Sequence, residues 1–600
     1  MLALPLTGST PELYHGKYVA GGFASGEQGV WYEPSLSNGT LFQDAAGTTP
    51  VTAVEQPVGL MLDKSKGLVL GAELVLRTNS PSAWTSPTTP RPVLEDGQIK
   101  IDFGGNSLAA YSYLRVPNLS QNLKVGVIYR VSGKARVSPG GSVNINVYSG
   151  GSFGGGSATI TSTELVSFSY LVTPQTNDIY IFANNMGQGE TIWLADISVR
   201  ELPGNHARQT TSADRPVFSA RYNLLTKTED FSGWQIARSS VTTSDVLSPD
   251  KINYAKVIVN NINVGSGFPP YIVFSGSGMS PLNTYKTSCC MKKGLAKYGH
   301  LRFDSTGGTV TGVSAYFDLE AGTFAGYLAI TNATPISATI IDIGDGWYEC
   351  TATFALGAGG AGFRSWVGMS NVYGDYYADV GTLSIYVWGA SLVPANQAHL
   401  PYQRVNTATD YDADPVKFPP YLRFNGVNSW MVTPSINFTA TDKMTVFAGV
   451  RKLSDVASIF METSSNLNAN VGTVAVVIGI DTNGNGYHSP SRGTAESKNT
   501  LNASAITFAA PDSAAITATH DIAGNLSKIR RNTISGAITG VGVKGSGNFG
   551  NYPLYIGRRG GTSLSFNGWL HSLIIRGAAT DDAHLTHTEK YIAYKTGITL

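Results

Sequence analysis

Residues 191–209 read TIWLADISVRELPGNHARQ, and the stretch changes character after Leu202. Before that point Trp193, Ala195, Ile197 and Val199 alternate with Leu194, Asp196, Ser198 and Arg200, the period-two pattern of a half-buried strand. From Pro203 onward the chain is polar and reads as connecting segment. Upstream, QPVGLMLDKSKG (56–67) has the same connecting character. If residues 69–202 are lifted out, MLDKSKG runs into GNHARQTTSADRP as one continuous segment. The reading is therefore an inserted domain, which requires its two ends to lie close together.

Working outward, the composition favours strands and turns. Charged residues make up 14% of the 600-residue chain, well under the roughly 25% of an average soluble protein, and Gly is abundant at 68. The length suggests about three to five domains. A net charge of +1 supplies no overall field for recruiting nucleic acid or an anionic membrane. The three cysteines, Cys289, Cys290 and Cys350, show neither a disulfide framework nor zinc-ligand spacing, so they read as buried strand thiols. The opening MLALPLTGSTPELYHGKY does not have the pattern of a signal peptide, and no apolar run approaches the ~20 residues of a membrane span.

Alternation recurs along the chain. In KMTVFAGVRK (443–452), Met444, Val446, Ala448 and Val450 share a face, and GSGNFGNYP, DTNGNGY and SPGGS punctuate such runs as turns. One helix is predicted, in TDDAHLTHTEKYIAYKTG (580–597), with Thr580 or Asp581 as its cap, Asp582 at its positive end and Gly597 as its stop. Two segments share a plan: GAELVLRTNSPSAW opens one and YNLLTKTEDFSGW the other, with Leu74 preceding Trp84 by the spacing that separates Leu224 from Trp234. Each closes on an aromatic strand, TIWLADISVRELPG or SIYVWGASLVPANQ. This pattern suits jelly rolls at 69–202 and 219–403. A third core follows at 421–600, after a solvated linker at 404–420. The expected fold class is all-β: two jelly-roll sandwiches, then a two-sheet sandwich with a short C-terminal helix.

Three joined segments, 29–67, 204–234 and 387–405, resemble those of tailed-bacteriophage tail-fibre and related virion proteins. FNGVNSWMVTPSINFTATDKMTVFAGVRK (424–452) and NYPLYIGRRGGTSLSFNGWLHSLIIRGAAT (551–580) resemble a concanavalin-A-like, laminin-G-like lectin domain, and the jelly rolls resemble carbohydrate-binding modules. The resemblance implies a virion protein on the exterior of a tail or capsid, made in the host cytoplasm. It implies other virion proteins and a host cell-surface glycan as partners, and a homotrimer, with no nucleic acid and no membrane insertion. Residues 24–68, continuing at 203–218, are then a fibre-type connector, and 1–23 an attachment or assembly segment. A purely structural capsid or tail decoration protein is the alternative, and an inter-subunit glycan depolymerase a further one.

No motif points to catalysis within one chain. Asp410, Asp412 and Asp414 have the period of two that paired glycosidase carboxylates need, but sit in the expected linker. H-E-x-x-H is absent. DTNGNG (481–486) opens like a calcium loop, yet Arg492 stands where an EF-hand needs Glu. A hairpin turn is the first reading, and a lectin-type calcium loop with Asp481 and Asn483 as donors the second. Arg558, Arg559 and Trp569 are the candidate glycan-binding residues, since Arg forks and an exposed indole suit acidic or ring-shaped sugars. The competing reading pairs Arg558 with an internal carboxylate and packs Trp569 against a neighbouring domain. Trp193, Trp347 and Trp388 read as core, and Trp84 and Trp234 as sharing a packing role.

Overall fold

Lys443–Lys452 is buried along almost its whole length, which happens only when a sheet is covered on both faces. Met444, Val446, Ala448 and Val450 point into the space between two large sheets, and Phe447 on the opposite face meets the C-terminal helix. The computed structural model describes residues 23–36, 39–75, 92–102, 112–115, 119, 123–148, 157–174, 180–184, 190–262, 269–277, 284–306, 312–357, 362–374, 381–397, 399–481, 484–494, 510–535 and 544–600. Among them the chain is all-β with a single α-helix, Asp582–Thr596. No helix there is long and apolar enough to cross a membrane.

The C-terminal sandwich is built from three separated pieces of chain. One sheet is ordered Val217–Ser219, Tyr421–Asn425, Asn567–Arg576, Lys443–Lys452, Asp512–Asp521, Leu526–Arg531, Ile534–Ser535, with Gly29–Tyr32 also paired to Asn567–Arg576. The other runs Leu41–Phe42, Leu60–Met61, Ala207–Arg208, Met431–Asn437, Asn551–Ile556, Ser458–Glu462, Thr473–Asp481, Gly484–His488. Val30, Tyr32, Leu41, Met61, Ala207 and Phe218 lie in the same core as Phe424, Met461 and Ile575. This corrects the expected boundaries. Residues 24–68 and 203–218 are strands of this sandwich rather than a separate connector, because only there do their apolar faces find cover.

Both lobes are insertions that leave and return through antiparallel strand pairs. The first springs from Leu60–Met61 and Ala207–Arg208, and the second from Val217–Ser219 and Tyr421–Asn425. At the first root the Gly71 amide donates to the Glu201 carbonyl at 2.8 Å. Asp63, fully buried, accepts from the Trp31 and Ser65 amides through Oδ1 and from the Asn205 amide through Oδ2, each at 2.8 Å. Its own amide donates to His206 Nδ1 at 2.9 Å, which leaves the Nε2 proton to the Leu202 carbonyl at 3.0 Å. Gly204 has φ of 148° and packs against His206 and Asp63 so closely that a Cβ would overlap the first and crowd the second.

At the second root, Gln403 accepts from the Tyr222 and Asn223 amides and donates to the carbonyls of Ala220 and Asp412. The expected solvated linker is instead a packed seam, with Val405, Tyr411 and Phe418 buried beside Tyr222, Tyr421 and Trp569. Apolar residues spaced among its prolines and acids supply the anchoring.

The lobes repeat one scheme. In the first, a five-stranded sheet (Val166–Val172, Tyr129–Val137, Thr191–Glu201, Gln98–Asp102, Val93–Glu95) accompanies a four-stranded one. The second has two six-stranded sheets. The Leu74 amide donates to the Val199 carbonyl, and the Leu224 amide to that of Leu392. Three residues before each acceptor the closing strand holds a left-handed residue, Asp196 (φ 53°) or Gly389 (φ 68°), where the register slips. That bulge corrects the strict alternation of Thr191–Glu201. Ile192 and Leu194 share the core with Ile197 and Val199, and Trp193 turns outward.

The helix is capped as its ends suggest: the Asp581 carboxylate accepts from the His584 amide, and Gly597 is left-handed at φ 66°. It covers the sheet through Leu585, Tyr591, Ile592 and Ala593, against Trp31, Phe447, Ala515 and Ile574. Glu33 ties the N-terminal strand to it, accepting from Lys64 Nζ at 2.8 Å, Lys595 Nζ at 2.6 Å and the Tyr591 hydroxyl. Burial pushes the Glu33 carboxyl up, but the two ammonium groups outweigh it and hold it at about 2.

Two outcomes follow from this architecture. Residues 421–600 expressed alone will be insoluble or unfolded by circular dichroism, whereas a chain in which a short Gly-Ser linker replaces 70–201 will retain a cooperative unfolding transition. Glu33 is ionised in the folded state down to about pH 2, so its stabilisation is complete above its ordinary value of 4.5 and is lost as pH falls from there towards 2. Glu33→Gln will flatten that limb of the stability profile, worth on the order of 3 kcal/mol, as read by denaturant titration at pH 7 and pH 3.

Candidate functional site

The residues singled out in the last domain do not converge on an open surface. Trp569 is only 6% exposed. It stacks on Tyr421 at 3.8 Å with an interplanar angle of 4°, meets Tyr222 edge-on at 5.6 Å, and has the Arg451 guanidinium 4.4 Å from its centroid. Arg451 in turn donates to Gln397, at the end of the second lobe. No indole face is left for a sugar, and Trp569 belongs to the seam between the second lobe and the C-terminal sandwich. Arg559 pairs with the buried Glu462 at 3.0 Å, and Arg558 donates to the Thr562 carbonyl within its own turn. The packing alternative holds, with Arg559 rather than Arg558 taking the internal carboxylate.

The other candidates are placed as follows. Asp481 pairs with Gly484 across a hairpin, so the connection comprises 482–483. Asn483, and with it the calcium reading, lies outside the described residues, as do Trp84 and residues 1–22. Among the described residues no group of three or more His, Cys, Asp or Glu is arranged to hold a metal ion. Asp410 and Asp412 flank Arg404 at 3.0 and 3.3 Å, and Asp414 caps a turn by accepting from the Val416 amide. Cys289 and Cys350 are free, buried neighbours on adjacent strands, and burial raises the Cys289 thiol to about 12. Trp347 and Trp234 are core. Trp193 is half-buried on the outer face, its Nε1 donating to Glu95 and Arg136 lying 3.9 Å over its ring.

A different surface gathers chemistry. In the second lobe, Tyr298–Thr306, Gly362–Ser370 and Tyr271–Ser277 are neighbours in one sheet. Their alternation sends Leu301, Phe303, Phe363 and Val367 into the core. His300, Arg302, Asp304, Arg364, Trp366 and Tyr271 therefore share the outer face. Register sets Arg302 opposite Trp366 and Asp304 opposite Arg364. Asp304 is fully buried and accepts from Arg302 Nε at 3.4 Å and from Arg364 Nη2. Both guanidiniums lie over the Trp366 ring at 5.1 Å, and Tyr271 closes on it at 4.1 Å. Gly368 leaves room for the His300 ring, which stacks on Tyr316 at 5.0 Å while Tyr373 meets Tyr316 edge-on at 5.5 Å. Burial, reinforced by Arg302, lowers His300 to about 3, so it is neutral at physiological pH.

Four polar atoms on this face, Trp366 Nε1, Arg364 Nε, His300 Nδ1 and Ser370 Oγ, are buried without a hydrogen-bond partner among the described residues. The Arg302 and Arg364 side chains remain 34% and 38% exposed. The result is a platform of guanidinium edges resting on aromatic rings, held by one carboxylate. In the sequence, the signal for it was the pair of alternating runs HLRFD (300–304) and FRSWVG (363–368), which read as an ordinary polar sheet face.

No protein-family model matches the chain, and no curated protein matches it. Among solved structures it is similar to the N-terminal CBM22-1-CBM22-2 tandem domain from Paenibacillus barcinonensis Xyn10C, at 10% identity and a TM-score of 0.22, covering 55% of this chain and 98% of that one. It is also similar to Trypanosoma rangeli sialidase in complex with the inhibitor DANA, at 9% identity and a TM-score of 0.21, covering 95% and 98% of the two chains. A third similar structure is that of Sulfolobus turreted icosahedral virus, at 10% identity and a TM-score of 0.14, covering 83% and 93%. At these scores the likenesses carry no argument about fold or function.

The two surfaces predict opposite mutational behaviour. Trp569→Ala will cost roughly 3–5 kcal/mol in chemical denaturation, as expected for truncating a buried aromatic, whereas Arg558→Ala will stay within about 0.5 kcal/mol of the parent.

Proposed function

We propose that this chain is a fibre-like adhesin of a virion that presents a glycan-binding β-sandwich to a host surface. The observation that carries the reading is the outer face of the second lobe, where half-exposed Arg302 and Arg364 lie over Trp366, and Trp366 Nε1, Arg364 Nε and His300 Nδ1 have no partner among the described residues. The guanidinium N–H groups of Arg302 and Arg364 that reach the surface are the part of this set a ligand can meet, and a polyhydroxylated ligand supplies acceptors for them. The architecture suits presentation, since each lobe hangs from the C-terminal sandwich by a pair of strands and projects its own sheets. The virion setting rests on the sequence resemblance, as do the trimer and the other virion proteins as partners. Shallow sites of this kind gain strength from several copies acting together.

A decoration or assembly role is favoured by one separate feature. Ala333–Gly344 is a long edge strand that exposes Ile336, Ile341 and Ile343, with Ile330 beside it, and unpaired apolar edges attract other strands.

A glycan array probed with the full chain tests the adhesin reading. Binding that Trp366→Phe weakens, in a variant that keeps a ring beneath the guanidiniums and the parent unfolding midpoint to within a few degrees, is the expected outcome. An array without signal, or binding indifferent to Trp366, removes it.

A further inference from the structure

We infer that the ligand of the second lobe is an anionic glycan, one whose sugars carry carboxylate or sulfate groups; this rests on the glycan-binding reading of the same face. A neutral sugar is held mainly by laying its ring on an exposed aromatic face, and Trp366 offers none. Its ring is covered by both guanidiniums and by Tyr271, and the residue is 7% exposed. What solvent meets instead is guanidinium. Arg302 uses Nε on Asp304 and Arg364 uses Nη2, so the remaining N–H groups of each fork have no other acceptor among the described residues. Two guanidiniums face one carboxylate, which leaves the platform with net positive charge even though the whole chain carries only +1.

Asp304 does not compete for the ligand, because it is fully buried beneath the pair and its role is to fix their orientation. The aromatic backing serves the same end. Stacked guanidiniums lose less freedom on binding than free surface arginines, and a planar fork matches a carboxylate or sulfate edge through paired hydrogen bonds. His300 is held neutral by its burial and by Arg302, so it adds no further charge. The other titratable groups near this face are Tyr271, Tyr298, Tyr316 and Tyr373, and Lys297, which pairs with Asp318 at 3.3 Å.

The full chain is passed over immobilised hyaluronan, dextran sulfate and unmodified dextran, with Arg302→Gln and Arg302→Lys alongside the parent. Arg302 is the choice because Arg364 still pairs with Asp304 when it is replaced, and thermal unfolding verifies that each variant is folded. The expected result is retention on hyaluronan, on dextran sulfate or on both, little on dextran, and weakening as salt rises from 0.05 to 0.5 M. Arg302→Gln lowers affinity by about tenfold or more, and Arg302→Lys falls between because it keeps the charge and loses the fork. Retention on hyaluronan assigns a carboxylated sugar, and retention on dextran sulfate alone assigns a sulfated one. Binding to dextran equal to that of the charged polymers, or retention untouched in Arg302→Gln, overturns the anionic assignment and leaves the glycan reading standing. No retention on any of the three, together with an empty glycan array, overturns both.

Discussion

Everything in this chain depends on strands being paired again after long departures. The C-terminal sandwich needs Leu60–Met61 beside Ala207–Arg208 and Val217–Ser219 beside Tyr421–Asn425, and between those partners the chain builds whole lobes. An open edge at either point would expose unpaired backbone and core side chains such as Met61 and Phe218. The roots are accordingly locked by buried polar side chains that gather backbone amides from distant segments: Asp63 at the first, Gln403 at the second. Each is fully satisfied by its partners, which is the condition under which a buried polar group specifies a structure instead of weakening it.

The lobes have ends fit for such roots because they share a construction. In each, the opening Leu pairs with the closing strand three residues beyond a left-handed bulge, so entry and exit lie side by side. The bulge also decides which aromatic faces out. At Asp196 it sends Trp193 outward beneath Arg136 with its Nε1 bound to Glu95, a satisfied arrangement. The platform of the second lobe lies on the other sheet, where Trp366 Nε1 and Arg364 Nε have no partner among the described residues. Two lobes of one plan thus differ in the chemistry they present.

The seam between the second lobe and the sandwich has a rigid character of its own. Tyr222, Tyr421, Trp569 and Arg451 stack as one block, and Gln397 and Phe418 close it from the chain on either side. The prolines and acids of 404–420 suggested solvated linker, but Val405, Tyr411 and Phe418 outweigh them, since each buried apolar side chain favours a fixed dock over a loose tether. Any ligand held on the second lobe is therefore presented at a defined angle to the rest of the molecule.

Local chemistry in the sequence was enough to reveal an all-β chain, the capped helix from Asp581 to Gly597, the matched lobes, and the joint at Leu202–Pro203–Gly204, because alternation, caps and turn residues act over a few positions. The candidate site was not legible. Arg558, Arg559 and Trp569 stood out as residue types, yet whether an indole faces solvent depends on what packs against it, and here that is Tyr222 and Tyr421 from chain hundreds of positions away or on another strand. Arg302, Asp304, Arg364 and Trp366 looked ordinary because each strand alone shows only a polar face. Register between strands, which is a property of the assembled sheet, is what places two guanidiniums and a carboxylate around one ring. For the same reason the strands of 29–61 and 207–219 looked like connector: their apolar residues have no partner until the last domain folds around them.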